Sequence, residues 1–212
     1  MKKKLKIYQQ IVDEKVIAVI RTNTYEDAKA SIEAAVEGGI FIIEITFTTP
    51  EALRLIRETA EQFGDQVAVG AGTVLTPQQA ALAISAGASF LVSPHVDPDI
   101  IKAGNVEQVM VIPGAVSIKD IVEALTYDCS VIKLFPANLS GLDAIKTLKG
   151  PLPQVEFIPT GGVNLENIED WMAAGAIAVG IGGDLTKEAI HTRDFSKVTS
   201  YAEKVVNKIK SR

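Results

Sequence analysis

The chain has 212 residues, a net charge of -5 and 47% hydrophobic residues. This length suits one large α/β domain, and the longest apolar runs are too short to cross a bilayer. Basic residues are scattered along the chain, whereas a nucleic-acid-binding protein concentrates them on one face. We therefore expect one domain over residues 1–212 that binds neither nucleic acid nor membranes.

Strand and helix patterns alternate along the chain. An amphipathic helix comes first, because Leu5, Tyr8, Ile11 and Val12 recur at helical spacing. Apolar runs then predict eight strands, at residues 16–21, 41–47, 68–73, 90–94, 109–114, 131–136, 156–161 and 178–183. Helical periodicity, proline starts and glycine stops predict eight further helices, at residues 25–37, 50–63, 77–86, 98–103, 118–125, 142–148, 165–174 and 196–210.

Strict alternation of strands and helices predicts parallel strands joined by right-handed crossovers. Eight such units in 212 residues favour a single closed (β/α)8 barrel, a TIM barrel, with an extra N-terminal helix. The open, doubly wound alternative is weaker, since residues 21–24 read Arg-Thr-Asn-Thr where a Rossmann fold carries its glycine-rich fingerprint.

Few residues of the chain suit disulfides or metal sites. The single cysteine, Cys129, cannot form an intrachain disulfide, and such a composition is typical of a reducing cytoplasm. The two histidines, His95 and His191, leave little material for an imidazole metal site. We therefore expect a cytoplasmic protein that uses no metal and no cofactor.

A lysine lies in the middle of the sixth predicted strand, which reads Val-Ile-Lys-Leu-Phe-Pro at residues 131–136. Burying an unpaired ammonium is costly, so Lys133 is expected to meet a carboxylate, lose its charge or reach open space. The alternative is a lysine whose stem packs inside while its amino group extends to the rim. From this strand alone, both interpretations remain open.

Two more charged residues lie toward the carboxyl ends of predicted strands, where barrel enzymes hold their active sites. Side-chain alternation allows Glu44, Arg21 and Lys133 to point into the barrel mouth, and Thr46 and Thr48 follow Glu44 at the same end. We expect the three charges to form one buried constellation. A structural ion network that fills the top of the barrel is the alternative.

A buried lysine beside a carboxylate suits Schiff-base chemistry. A neutral amine attacks a ketone, and the resulting iminium accepts electrons when a carbon–carbon bond breaks. Glu44 is the candidate proton shuttle, and Arg21 can hold the carboxylate of an α-keto acid through two hydrogen bonds. Glycine pairs at residues 161–162 and 182–183 follow two strands, where backbone amides of barrel enzymes commonly bind phosphate.

Eight short motifs occur in order over nearly the whole chain. They are Glu44-Ile45-Thr46-Phe47, Gly70-Ala71-Gly72-Thr73-Val74, Ser93-Pro94-His95, Ile112-Pro113-Gly114, Lys133-Leu134-Phe135-Pro136-Ala137, Gly150-Pro151, Pro159-Thr160-Gly161-Gly162-Val163 and Gly180-Ile181-Gly182-Gly183. In this combination the chain resembles the bacterial 2-keto-3-deoxy-6-phosphogluconate / 4-hydroxy-2-oxoglutarate aldolases.

The resemblance implies a Schiff-base (class I) pyruvate aldolase on a (β/α)8 barrel, usually a homotrimer, that acts on a small keto acid. One product is pyruvate, and the other is glyceraldehyde 3-phosphate or glyoxylate. The resemblance makes Lys133 the Schiff-base lysine and Glu44 the general acid/base. The substrate-binding residues that it implies are Arg21, Thr73, Pro94, Phe135, Thr160, Gly161, Gly162, Gly182 and Gly183.

Two positions depart from the pattern of this family. Thr48 stands where many members have an arginine for the pyruvate carboxylate, so Arg21 is the expected substitute. Asp184 stands where many members place a serine on the phosphate, and a carboxylate there repels a phosphate. Asp184 is expected to cap the helix that follows instead. A non-catalytic barrel, used as an oligomeric scaffold or sugar-phosphate binder, is the second hypothesis.

Three other residues are assigned roles outside catalysis. His95 follows Ser-Pro at a strand end, where it contacts substrate or stabilises the loop. Trp171 is expected to pack on a helix face, and Cys129 to be structural.

Overall fold

The computed structural model describes residues 3–210, so positions 1–2 and 211–212 of the predicted domain lie outside the described residues. Nine strands, all paired in parallel, occur in this part of the chain. They are β1 (Val16–Ile20), β2 (Ile42–Thr46), β3 (Ala68–Gly72), β4 (Phe90–Val92), β5 (Met110–Ile112), β6 (Gly114–Ala115), β7 (Val131–Leu134), β8 (Glu156–Pro159) and β9 (Val179–Ile181).

Helices separate and follow these strands. Within residues 3–210 they are α1 (Lys3–Glu14), α2 (Tyr25–Glu37), α3 (Ala52–Phe63), α4 (Pro77–Ser85), α5 (Pro98–Val106), α6 (Ile118–Thr126), α7 (Ala137–Ser140), α8 (Asp143–Lys149), α9 (Ile168–Ala173), α10 (Gly183–Thr192) and α11 (Ser196–Lys210), with a 3-10 turn at Gly64–Gln66. Side chains of Thr24, Thr76, Asp97 and Ser117 cap the starts of α2, α4, α5 and α6. No helix of the described chain is long and apolar enough to span a membrane.

The strands form two parallel sheets. The larger has the order β5-β4-β3-β2-β1-β9 and the smaller the order β6-β7-β8. The predicted fifth strand is divided into β5 and β6 at Pro113, which has no N–H for the ladder. Lys133 N–H donates to the Pro113 carbonyl at 2.9 Å, and Thr160 pairs with Gly180 in an isolated parallel bridge. The predicted α/β fold with parallel strands is therefore confirmed.

Several predicted boundaries are wrong at the carboxyl ends of strands. β1 ends at Ile20 and β7 at Leu134, one and two residues before the predicted ends. After β7 the apolar pattern continues through Phe135 and Pro136 while the backbone already turns into a loop, and after β1 the loop begins at Arg21. For the same reason the sequence did not predict α10, because Gly183 was assigned to the preceding strand.

Two apolar clusters occupy the two faces of the sheets. One packs the outer face, with Ile20 and Ile45 among its members, against the surrounding helices. The other lies on the opposite face, and its members include Ile17, Ile42, Phe90, Val131 and Ile158. Ile7 and Ile11 of α1 belong to this second cluster, so α1 covers the amino ends of the strands. At the amino end of β8, Glu156 accepts a hydrogen bond from the Tyr8 hydroxyl of α1 at 3.1 Å, whereas Lys133 and Glu44 lie farther along their strands.

Candidate active site

A buried ion pair joins two opposite strands. Lys133 of β7 and Glu44 of β2 are 5% and 2% exposed, and Lys133 Nζ lies 3.3 Å from Glu44 Oε1. Each side chain follows an apolar residue of the inner cluster by two positions, because alternate residues of a strand share a face. The amino group of Lys133 therefore lies inside the protein and does not extend to the rim.

Gly72 makes room for the Glu44 carboxylate. A Cβ atom at Gly72 would lie 2.1 Å from Glu44 Oε1, far inside van der Waals contact. Gly72 pairs with Thr46 on the neighbouring strand, while Glu44 pairs with Gly70. Sequence reasoning quoted Gly72 only as part of a motif. Its available signal was a glycine inside a strand, which often marks the close approach of another group.

Phe135 covers one side of the lysine. Its ring centre lies 5.1 Å from Lys133 Nζ, and its ring edge lies 3.6 Å from the position of a Cβ at Gly161. Gly161 and Gly162 have φ values of +95° and +77°, which glycine adopts without strain. Ala137 N–H donates to the Thr160 carbonyl at 2.9 Å, so the segments after β7 and β8 are tied together beside the ion pair.

Arg21 and Thr73 meet at the carboxyl ends of β1 and β3. Arg21 Nη2 donates to Thr73 Oγ1 at 3.2 Å. Thr73 has φ +54°, a left-handed conformation that is costly for a β-branched residue and that occurs preferentially at functional sites. Arg21 is exposed, so the expectation of three buried charges is wrong. Because Arg21 follows the last residue of β1, its side chain extends toward solvent while Lys133 and Glu44 stay inside.

The loops after β8 and β9 lie next to each other. Thr160 is buried, and a Cβ at Gly180 would lie 2.3 Å from Thr160 Oγ1, so only glycine fits there. α10 begins at Gly183 with Gly182 at its N-cap and no side-chain cap. Asp184 lies in the first turn of α10, and Gly182 occupies the N-cap position, so the predicted capping role of Asp184 is wrong. A carboxylate in this turn interacts favourably with the helix dipole.

The loop after β4 is supported by its own side chains. Ser93 is buried, and its Oγ lies 3.0 Å from His95 Nδ1. The ring of His95 is exposed, with Nε2 3.8 Å from Asp97 Oδ2. Pro94 packs so closely on β6 that a Cβ at Gly114 would lie 2.6 Å from the Pro94 carbonyl. These contacts are those of a loop-stabilising histidine.

The remaining residues of interest are structural. Trp171 is buried in the outer cluster, as expected for a packing residue. Cys129 is a buried free thiol whose pKa is raised to about 11 by burial. Within residues 3–210, no group of three or more His, Cys, Asp or Glu residues is arranged to hold a metal ion.

Comparisons with known proteins agree with this geometry. The family model described as KDPG and KHG aldolase matches residues 7–201. A 2-dehydro-3-deoxy-phosphogluconate aldolase of Treponema pallidum (strain Nichols) is 36% identical over 202 residues, which cover 94% of this chain and 96% of that protein. The KHG/KDPG aldolase of Escherichia coli (strain K12) is 34% identical over 194 residues, 90% of each chain.

A solved structure shows the same fold with a reaction intermediate. The KDPG aldolase of Legionella pneumophila, with pyruvate captured as a covalent carbinolamine, superposes with a TM-score of 0.85. It is 34% identical, and the match covers 92% of this chain and 95% of that one. By sequence and by fold, the chain belongs to the KDPG and KHG aldolase family.

Proposed function

We propose that the protein is a Schiff-base (class I) aldolase that releases pyruvate from small keto acids. Its substrates are 2-keto-3-deoxy-6-phosphogluconate, which also gives glyceraldehyde 3-phosphate, and 4-hydroxy-2-oxoglutarate, which also gives glyoxylate. The observation that carries the proposal is the buried pair of Lys133 and Glu44, 3.3 Å apart. The names of two relatives, the 2-dehydro-3-deoxy-phosphogluconate aldolase of Treponema pallidum and the KHG/KDPG aldolase of Escherichia coli, support these two substrates.

The pair supplies both groups that the reaction needs. Glu44 first takes a proton from Lys133, and the neutral amine then attacks the keto carbon to give a carbinolamine. Glu44 passes that proton to the carbinolamine hydroxyl, which leaves as water, so the iminium forms and Glu44 is again a carboxylate. Glu44 then takes the proton of the C4 hydroxyl as the C3–C4 bond breaks, and the bonding electrons move into the iminium to give an enamine. A proton returns from Glu44 to C3, and water releases pyruvate from Lys133. Each proton that Glu44 accepts is later returned, so neither residue is consumed.

The exposed end of the site binds the keto acid. The Arg21 guanidinium is suited to hold the carboxylate next to the keto group, and the Thr73 hydroxyl lies within hydrogen-bond distance of that guanidinium. The Phe135 ring centre lies 5.1 Å from Lys133 Nζ, and we assign Phe135, Pro94 and Thr160 to binding of the keto acid. A bidentate hold on the carboxylate orients the keto carbon toward the amine, which lowers the entropy cost of the attack.

The far end of the substrate lies toward the two glycine loops. Gly161 and Gly162, together with Gly182 and Gly183 at the start of α10, offer backbone amides to an anionic group. Asp184 is exposed in the same first turn, and its charge opposes a phosphate dianion there. This arrangement favours 4-hydroxy-2-oxoglutarate, which ends in a carboxylate close to the reacting carbons.

We also infer that the two sheets close into one (β/α)8 barrel within a single domain of residues 1–212. The bridge from Thr160 to Gly180 and the hydrogen bond from Lys133 N–H to Pro113 support closure, because they join the sheets at both edges. Circular dichroism and a single cooperative unfolding transition test the single domain. Limited proteolysis that yields two stable fragments would contradict it.

The oligomeric state and cellular location are proposed on other grounds. We propose a homotrimer, since several large apolar side chains of the single chain are exposed and would be covered in an oligomer, namely Leu75, Leu82, Val116, Ile118, Val122 and Leu139. Light scattering should give a mass near three times 22.6 kDa. We also propose that the enzyme is cytoplasmic, as the single free cysteine suggests, and that it needs no metal or cofactor. The scattered basic residues support the proposal that it binds neither nucleic acid nor membranes.

Borohydride trapping tests the proposed function directly. Protein incubated with pyruvate and borohydride should carry one stable adduct, and peptide mapping should place it on Lys133. Lys133→Ala should lose the adduct, whereas Lys102→Ala, at an exposed lysine paired with Asp99, should keep it. A folded protein without an adduct, and without pyruvate release from either keto acid in a coupled assay, would favour the non-catalytic scaffold or sugar-phosphate binder.

A further inference from the structure

Three threonines form a hydroxyl cluster at the end of β2, which we call the threonine cluster: Thr46, Thr48 and Thr49. Thr46 and Thr49 are buried, with exposures of 0% and 3%. Thr46 Oγ1 lies 2.9 Å from Thr48 Oγ1 and 3.2 Å from Thr49 Oγ1. Thr49 N–H also donates to the Thr46 carbonyl at 2.9 Å, so the segment folds back on the end of its own strand.

The threonine cluster forms hydrogen bonds with the end of β1 on both sides of Arg21. The Ile20 carbonyl accepts from Thr46 Oγ1 at 3.1 Å and from Thr49 Oγ1 at 3.3 Å. The Thr22 N–H donates to Thr49 Oγ1 at 3.4 Å. The residues directly before and after Arg21 are therefore held by hydroxyl groups of the neighbouring strand segment.

The number of hydroxyl protons limits which threonine donates and which accepts in each hydrogen bond of the cluster. Each hydroxyl has one proton to donate, so if Thr46 donates to the Ile20 carbonyl, Thr48 must donate to Thr46. Thr49 accepts from the Thr22 N–H and donates to Thr46 or to Ile20. No buried side-chain nitrogen or oxygen of residues 3–210 lacks a hydrogen-bond partner. A saturated buried network favours one arrangement of the backbone over others.

The side chain of Arg21 has little support of its own. Within the described part of the chain it is exposed and makes one hydrogen bond, to Thr73. Its aim therefore depends on the backbone at Ile20 and Thr22. Thr46 also follows Glu44 by two residues on the same strand face, so the cluster links the position of Arg21 to that of Glu44.

We propose that the threonine cluster positions Arg21 so that its guanidinium points at the carboxylate of the keto acid. This proposal rests on the proposed function. Thr49 is the central member, because it contacts both residues that flank Arg21. The hydrogen bonds of the cluster go to Ile20, Thr22 and its own members and not to Lys133 Nζ, so it acts on binding of the keto acid and not on the bond-breaking step. Loss of the Thr49 hydroxyl should therefore weaken keto-acid binding and leave kcat nearly unchanged.

A double-mutant cycle between Thr49 and Arg21 tests the proposal. Thr49→Val should raise the Kd for pyruvate, measured by calorimetry, and the KM for keto acid about 5- to 10-fold, as expected for one hydrogen bond. kcat should stay within about 2-fold, and Thr49→Ser should restore binding. In an Arg21→Ala background, Thr49→Val should change the Kd by less than about 2-fold, because the two residues act as one unit.

Controls separate this effect from general loss of stability. Thr192→Val removes a hydroxyl that bonds the Glu188 carbonyl at a remote helix end, and it should leave the Kd unchanged. If Thr49→Val does not fold, Thr49→Ala serves in the same cycle. An equal weakening by the Thr49 variant with and without Arg21, or no weakening at all, overturns the proposal. Pyruvate Kd values are measurable in Lys133→Ala as well, so the cycle gives an answer even if the borohydride test of the aldolase fails.

Discussion

Gly72→Ala is expected to inactivate the enzyme without a change in any polar group. The added Cβ would lie 2.1 Å from Glu44 Oε1 and 2.7 Å from its carboxyl carbon. Two atoms in ordinary contact are separated by about 3.5 Å, so the carboxylate oxygen has to move by about 1.4 Å. The bond from Lys133 to Glu44 is already long at 3.3 Å, and a shift of this size breaks it.

The size of the effect follows from this geometry. A misplacement of about 1 Å at a reacting group can cost about 100-fold in rate. Overpacking of a buried site costs about 1–3 kcal/mol in the free energy of unfolding, so Gly72→Ala is expected to remain folded. The variant should therefore lose about 100-fold in kcat as a soluble protein with native circular dichroism.

Gly104→Ala is the matched control. Its Cβ would lie 2.3 Å from Val111 Cγ2, a clash of similar severity between α5 and β5, away from the Lys133 amine. The assay is coupled pyruvate release with both keto acids, together with urea unfolding of each variant. Gly104→Ala should be destabilised and active. Full turnover by Gly72→Ala, or a loss no larger than that of Gly104→Ala, would refute the reasoning.

Three other changes give separate outcomes. Lys133→Ala removes the cation beside the buried Glu44 carboxylate, so the free energy of unfolding in urea should fall by about 3–5 kcal/mol. Adding Glu44→Gln should recover part of this loss. No recovery would show that the Glu44 charge is well hydrated. Because burial raises the pKa of Cys129 to about 11, the unfolded chain releases this proton at lower pH than the folded protein. The free energy of unfolding should therefore fall as the pH rises from about 9 to about 11, and Cys129→Ala should flatten that fall; equal slopes would contradict it. Asp184→Ser should raise kcat/KM for 2-keto-3-deoxy-6-phosphogluconate about 10-fold relative to kcat/KM for 4-hydroxy-2-oxoglutarate, which corresponds to about 1.4 kcal/mol. A constant ratio of the two kcat/KM values would mean that Asp184 does not face the phosphate.

The sequence predicted most helices and strands because the apolar residues of each segment follow either the helical or the strand pattern, and not both. α2 occupies Tyr25–Glu37, as predicted, since its apolar face begins after a threonine cap and ends before glycine. Prediction failed where two signals overlap. Residues 182–183 look like the end of a strand, yet Gly183 already begins α10, because glycine fits both conformations. At Pro113, a continuous apolar run hides a break in the hydrogen-bond ladder.

The two central residues of the site were predictable because they violate the local pattern. A lysine and a glutamate inside apolar strands conflict with simple burial, and such conflicts concentrate at functional sites. Gly72 carries only the weaker signal of a glycine inside a strand, and Thr49 carries none. A threonine is an ordinary residue at a strand end, and a glycine shows its role only when the register between β2 and β3 places it beside Glu44. Their roles depend on cross-strand geometry, which no single strand contains.

Arg21 is exposed whereas Lys133 and Glu44 are buried, and this difference suits two separate tasks, binding of the substrate carboxylate and proton transfer. Under the proposed function the keto acid brings its own carboxylate, so the exposed guanidinium is expected to recruit it from solvent and to be neutralised only when substrate is bound. In the same proposal Lys133, Glu44 and the substrate exchange protons without competition from water, which requires burial of the pair. Burial of charges lowers stability, and the apolar cluster under α1, with Ile42 and Phe90 at the other ends of the strands, offsets that loss. Stability and chemistry thus occupy opposite ends of the same strands, and this separation is the reason why substitutions at the pair are expected to remove activity before they remove the fold.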